Sequence, residues 1–211
     1  MKHLFLLICV MSTLCSCVSL TGFEEARVIG ENNSELIVSG NYTQTPDFFD
    51  LDDLGEIDST NTILFPNVEL SYKKGISDRI EAGVRYSSNA VLGLFFKYQF
   101  YGDASSSFAL ATGLEGSSSI GIAISIAIPL YISYYPSKNI TINLAPRYNY
   151  QFILNSEVNG VNYLGGNFGV LFGERNKFGF DIGYYNVNQD IGLDNIGLSL
   201  ISFGIGGKFR V

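Results

Sequence analysis

The chain has 211 residues, 46% of them hydrophobic, 14% aromatic and only 16% charged, with a formal net charge of -7. That sign excludes an electrostatic binder of nucleic acid, and the charged fraction falls well below the ~25% of ordinary soluble proteins. All three cysteines (Cys9, Cys15, Cys17) and the single histidine, His3, lie near the N-terminus, which excludes a disulfide scaffold, a cysteine metal site and histidine-based catalysis in the rest of the chain.

Lys2 and His3 precede an apolar run from Leu4 to Met11. This is the order of a secretory signal, and the run is too short to span a bilayer as a helix. Leu14-Cys15-Ser16-Cys17 follows. The aliphatic residue, the small residue and the cysteine resemble the lipobox of bacterial lipoproteins. The resemblance implies cleavage after Ser16 and a lipid on Cys17. Residues 1–16 are therefore expected to be a signal peptide and 17–34 a polar tether that includes Glu24, Glu25, Glu31, Asn32 and Asn33. Residues 35–211 are expected to form one domain.

That domain alternates between greasy and polar or small side chains. The alternation predicts strands near 35–44, 65–74, 78–88, 90–101, 106–116, 120–135, 138–152, 162–173, 176–187 and 197–211. Ile120 to Tyr134 is the clearest case: Ile122, Ile124, Ile126 and Ile128 share one parity, while Gly121, Ala123, Ser125 and Ala127 share the other. Successive strand residues point to opposite faces, so each strand has an apolar face and a small or polar one. Phe95 and Tyr131 fall on the small-residue parity, against the pattern.

Charge placement decides which face meets lipid. Glu69, Lys73, Arg79, Glu81, Arg85, Lys97, Glu115, Arg147, Asp181, Lys208 and Arg210 lie opposite the apolar parity. An Arg or Lys facing lipid at the bilayer midplane costs about 2–4 kcal/mol. The apolar face is therefore read as outward and all of these charges except Arg210 as a network in a lumen. Glycine-rich or polar turns near 75–78, 102–105, 136–139 and 173–176 alternate with connections read as longer near 45–64, 153–161 and 188–196. Short turns on one rim and longer loops on the other is the arrangement of a membrane barrel. Tyr42, Tyr86, Tyr101, Tyr134, Tyr135, Tyr150, Tyr163, Tyr184 and Tyr185, near strand ends, are candidates for an interfacial girdle.

The fold class expected is all-β: a closed antiparallel up-and-down transmembrane β-barrel of about ten strands, with eight to twelve as the range. The chain resembles the small bacterial outer-membrane β-barrel proteins. Gly206, Phe209 and Val211 match the assembly signal of their final strand. The resemblance implies an outer-membrane location, with membrane lipid and the barrel assembly machinery as partners. It leaves the oligomeric state open.

No cofactor is expected. The acidic stretch Asp50-Leu51-Asp52-Asp53 is a weak candidate for a hard cation, but Leu54 and Asn61 occupy places where such a loop needs ligands, so no metal is expected. Gly165-Gly166 and Gly206-Gly207 are not phosphate loops, because no helix is predicted after them. The reading is a non-enzymatic barrel with a structural, surface-interaction or narrow-pore transport role. The alternative is a lipid-tethered periplasmic barrel of lipocalin type, with Ile122, Ile124, Ile126, Phe180 and Ile182 lining a cavity for an apolar ligand.

Overall fold

The computed structural model describes residues 23–46, 62–119, 123–154, 160–191 and 194–211. The signal segment, the lipidation candidate Cys17 and the acidic candidates Asp50, Asp52 and Asp53 lie outside the described residues. Ten strands make up the wall: β1 (Ser34–Pro46), β2 (Thr62–Ser77), β3 (Ile80–Ser87), β4 (Val91–Tyr101), β5 (Phe108–Ser119), β6 (Ala123–Ser137), β7 (Ile140–Ile153), β8 (Val161–Phe172), β9 (Lys177–Ile191) and β10 (Asp194–Arg210). Each pairs antiparallel with its neighbour in sequence. β1 then pairs with β10, from Glu35 opposite Arg210 to Gln44 opposite Ile201, and closes the sheet. Closure leaves no strand edge with unpaired backbone groups.

The alternation in the sequence becomes the two faces of this wall. In β4, Leu92, Leu94 and Phe96 point outward and Val91, Phe95, Lys97 and Gln99 point into the lumen. The outward set is fully presented to the surroundings: Leu94 is 64% exposed and Ile205 70%. Ile124, Ile126, Phe180 and Ile182 are also outside, while Ala123, Ser125 and Ala127 are buried inside. A lipocalin-type cavity needs the reverse, so that alternative is overturned for every one of its residues that the structure describes.

The turns at 78–79, 102–107, 138–139 and 173–176 share a rim with the start of β1 and the end of β10. At the opposite rim one expectation changes. The stretch 188–196, read as a loop, is mostly hairpin, with Asp194 opposite Ile191 and Gly197 opposite Asn188. Ladder hydrogen bonds are made by the backbone, so a polar run continues a strand once its register is set.

Two inward aromatics break the small-residue parity because glycines across the ladder seat them. A methyl group on Gly83 would lie 2.5 Å from the Phe95 ring, and one on Gly165 would lie 2.8 Å from the Tyr185 ring. Glycine at these positions lets a bulky side chain lie flat against the wall of a narrow barrel. The girdle candidates divide accordingly. Tyr42, Tyr86, Tyr101, Tyr134 and Tyr184 are outside, whereas Tyr135, Tyr163 and Tyr185 are buried in the lumen.

The segment before β1 departs most from expectation. Residues 23–29 are not an exposed tether. Phe23, Glu24, Glu25, Ala26 and Ile29 are all buried inside the barrel. A turn at 30–33 reverses the chain, with Gly30 at φ +82° and Asn32 at φ +59°. It is pinned to β2 by Asn32 N–H to the Gly75 carbonyl (3.2 Å) and Gly75 N–H to the Asn33 carbonyl (2.9 Å).

Candidate functional site in the barrel lumen

Alternation brings charged side chains from eight strands into one narrow space, where each must find a partner. Of the ten lumen candidates read from the sequence, Glu69, Lys73, Glu81, Arg85, Lys97, Glu115, Arg147, Asp181 and Lys208 are buried there. Arg79 is not. It sits in the β2–β3 turn, exposed at the rim, because β3 begins one residue later, at Ile80. Arg210 is likewise exposed at the rim.

The buried charges form two layers. In the layer nearer the turn rim, Lys73 Nζ contacts Glu35 (3.0 Å), Glu81 (3.0 Å) and Glu24 (2.8 Å). Lys97 Nζ contacts Glu81 (2.5 Å) and Glu24 (3.1 Å). Lys208 Nζ contacts Glu35 (3.2 Å) and Glu25 (2.9 Å), and Lys177 Nζ contacts Glu25 (2.6 Å). The wall alone gives this layer four lysines and two carboxylates. The two missing negative charges come from Glu24 and Glu25 of the inserted segment.

The second layer, toward the middle of the barrel, is balanced by the wall itself. Arg85 bridges Glu69 (3.1 Å) and Glu115 (3.1 Å), and Arg147 lies 3.5 Å from Glu115. Tyr131 donates its hydroxyl proton to Glu115 at 2.7 Å. To one side of this layer the Asn167 amide donates to Asp181 (2.9 Å), and the Tyr185 hydroxyl donates to the Asn167 carbonyl oxygen. Beyond it, toward the loop rim, Val161, Tyr163, Tyr185, Val187 and Leu200 pack as an apolar cluster inside the barrel. Tyr163 also donates to Gln151 at 2.7 Å.

The inserted segment is held by side chains of the wall. Ala26 N–H donates to Ser133 Oγ (2.8 Å), Arg27 N–H to the Tyr135 hydroxyl (3.3 Å), Val28 N–H to Gln99 Oε1 (2.9 Å) and Ile29 N–H to Glu81 Oε2 (2.9 Å). Lys97 Nζ donates to the Glu25 carbonyl at 2.7 Å. The Arg27 guanidinium stacks 3.6 Å from the centre of the Tyr135 ring and donates to the Ser106 carbonyl. Phe23, deepest of the described residues of the segment, packs with Ile37 and Leu171. At the turn rim, beside the segment, a cavity of about 780 Å³ is lined by residues including Glu25, Arg27, Arg79, Tyr135, Lys177 and Lys208.

Sequence reasoning missed Glu24, Glu25, Glu35 and Lys177. Two signals were available. Glu35 lies on the inward parity of β1. The expected lumen set held more cations than anions, an imbalance a buried network cannot carry. The nearest uncommitted carboxylates were those just before β1. Among the described residues no cluster of three or more His, Cys, Asp or Glu could hold a metal ion.

No family model and no curated protein matches this chain. Solved structures do align with it. They include the NanC porin (14% identity, 83% of this chain and 100% of that one, TM-score 0.46). A second is an outer membrane channel from Pseudomonas putida F1 (6% identity, 90% and 100%, TM-score 0.47). A third is Neisserial surface protein A (13% identity, 84% and 97%, TM-score 0.41). That the exterior meets lipid follows from the wall itself. A closed sheet with an apolar outside and a charged inside satisfies its backbone internally and its exterior in hydrocarbon. The protein is a membrane-spanning β-barrel. No helix among the described residues is long and apolar enough to cross a membrane.

Proposed function

We propose that this is a non-enzymatic outer-membrane barrel, closed to solutes, that serves as a membrane-embedded scaffold or surface-interaction protein rather than as an open pore. The observation that carries this reading is the middle layer. Glu69, Arg85, Glu115, Tyr131 and Arg147 form one bonded set contributed by β2, β3, β5, β6 and β7, and each is at most 8% exposed. The Val161, Tyr163, Tyr185, Val187 and Leu200 cluster adds an apolar constriction beyond it, and such constrictions exclude water and ions. The inserted segment fills the other end. Transport would require all three to move.

Residues 18–211 contain neither histidine nor cysteine, which leaves the lumen without the usual general base or thiol nucleophile. The barrel assembly machinery is a proposed partner, through Gly206 and Phe209 of β10 and Val211 just after it. Planar-bilayer recording of the purified full-length protein tests the reading. Membranes that contain folded barrel and stay silent support it. Steady single-channel steps overturn it.

A further inference from the structure

We propose that the lumen next to the turn rim is a binding groove for an extended acidic peptide, occupied here in cis by residues 23–29 of the same chain. The inference goes beyond the closed-barrel reading and does not depend on whether the barrel conducts.

Three observations carry it. First, the wall reads this segment as a receptor reads a peptide. Ser133, Tyr135, Gln99 and Glu81 offer an acceptor to each of four successive amides, from Ala26 to Ile29. Lys73 and Lys97 receive one acidic side chain, and Lys177 and Lys208 receive the next. The face of Tyr135 receives the arginine two positions on.

Second, the segment is not part of the wall. It lies outside the strands, and the barrel closes through β1 and β10 without it. A buried element of the fold is normally held by a backbone ladder. This one is held by side chains, as a ligand is. The wall it leaves behind carries two surplus positive charges, so an occupant of opposite charge is required.

Third, there is space at the rim. The cavity of about 780 Å³ adjoins Glu25, Arg27, Val28 and Ile29, so the rim-side part of the segment borders open volume and not a strand pair. The ligand class follows from the groove. It is a peptide with two adjacent acidic residues, then a small residue that fits where Ala26 is wholly buried, then a cation to stack on Tyr135.

The test uses the full-length protein in detergent and a fluorescent synthetic peptide with the sequence of residues 22–30, together with a control peptide carrying glutamine at both glutamates. Anisotropy is measured with the native protein and with the Glu24→Gln/Glu25→Gln variant, whose own segment is weakened. The acidic peptide is expected to bind the variant roughly tenfold or more tighter than the native protein. The control peptide is expected to bind neither. A folded variant that takes up neither peptide, or both equally, overturns the proposal. Hydrogen exchange of residues 23–29 in the native protein gives a second reading that needs no variant. Excess acidic peptide should speed that exchange, and unchanged protection at saturating peptide overturns the proposal by itself.

Discussion

The two charged layers of the lumen solve one problem in different ways. In the middle layer, Arg85 and Arg147 face Glu69 and Glu115, all from the wall, and the charges balance without outside help. In the layer by the turn rim, Lys73, Lys97, Lys177 and Lys208 outnumber Glu35 and Glu81, and balance comes from Glu24 and Glu25 on a segment that belongs to no strand. A buried charge without a partner is costly, and breaking a buried pair from one side costs about 3–5 kcal/mol. The middle layer is therefore part of what holds the barrel together. The rim layer makes the barrel depend on an occupant.

The largest effect should come from breaking the middle layer. Arg85→Met takes from the buried Glu69 and Glu115 the guanidinium that bridges them. We expect a loss of about 3–5 kcal/mol in denaturant unfolding of the lipid-reconstituted protein. A loss under about 1 kcal/mol would mean that the layer is hydrated and the barrel less tightly closed than its geometry indicates.

Next comes the seating of aromatics. Gly83→Ala puts a methyl group against the Tyr72 carbonyl oxygen, 2.5 Å from the Phe95 ring and 2.8 Å from Lys73 Cβ, at the junction of the two layers. Overpacking of this kind costs about 1–3 kcal/mol. Gly116→Ala is the matched control, because a methyl there meets nothing within 4 Å, and it should change stability by less than about 0.5 kcal/mol. Equal effects in the same unfolding assay would show that strand propensity, and not crowding at Gly83, sets the need for glycine.

Smaller still, for the barrel as a whole, is the loss of the two plug carboxylates. Glu24→Gln/Glu25→Gln leaves surplus lysines, but here the chain has a cheaper response than unfolding: the segment leaves and water enters from the adjoining cavity. Local opening of this kind spans free energies from about 0 up to the global value. Hydrogen exchange at residues 23–29 should rise sharply while the heat-modifiable gel migration of the barrel persists. If exchange rises equally in β2 and β4, the segment is a structural member of the wall, and the contrast between the layers disappears.

How much of this the sequence disclosed follows from the same physics. Wall and parity were legible because strand side chains alternate strictly, so seven isoleucine and leucine positions from Ile120 to Tyr134 fix a face without any long-range information. The middle layer was legible for the same reason: Arg85, Glu115 and Arg147 all sit opposite apolar neighbours. The rim layer was only half legible. Glu24 and Glu25 carry no periodicity, and a polar stretch next to a signal segment looks the same whether it trails in water or folds inward. Only the charge deficit of the wall pointed to it. Phe95 and Tyr131 looked like flaws in the pattern because the glycines that seat them, Gly83 and Gly113, lie on neighbouring strands. The 188–196 hairpin was missed because backbone pairing leaves no trace in a polar sequence.

The smallest expected effect lies outside both layers, in the β4–β5 turn at the same rim. Asp103 accepts from Ser105 N–H (2.8 Å), Ser105 Oγ (2.7 Å), Ser106 N–H (2.9 Å) and Ser106 Oγ (3.0 Å). Those bonds, led by the Ser105 hydroxyl, hold its carboxyl at a pKa of about 2. A folded value below the unfolded one, about 3.9, means that the carboxylate steadies the turn at neutral pH and that this help fades as pH falls from about 4 toward 2. The group is fully in water, so the barrel should hardly register the change. The Ser105 and Ser106 amides should. Their exchange protection, compared between native protein and Asp103→Asn at matched pH, is expected to differ at pH 6 and to converge near pH 2. Equal protection in the two proteins at pH 6 would mean that the turn is ordered by the Ser106 N–H to Asp103 carbonyl bond and not by the side chain.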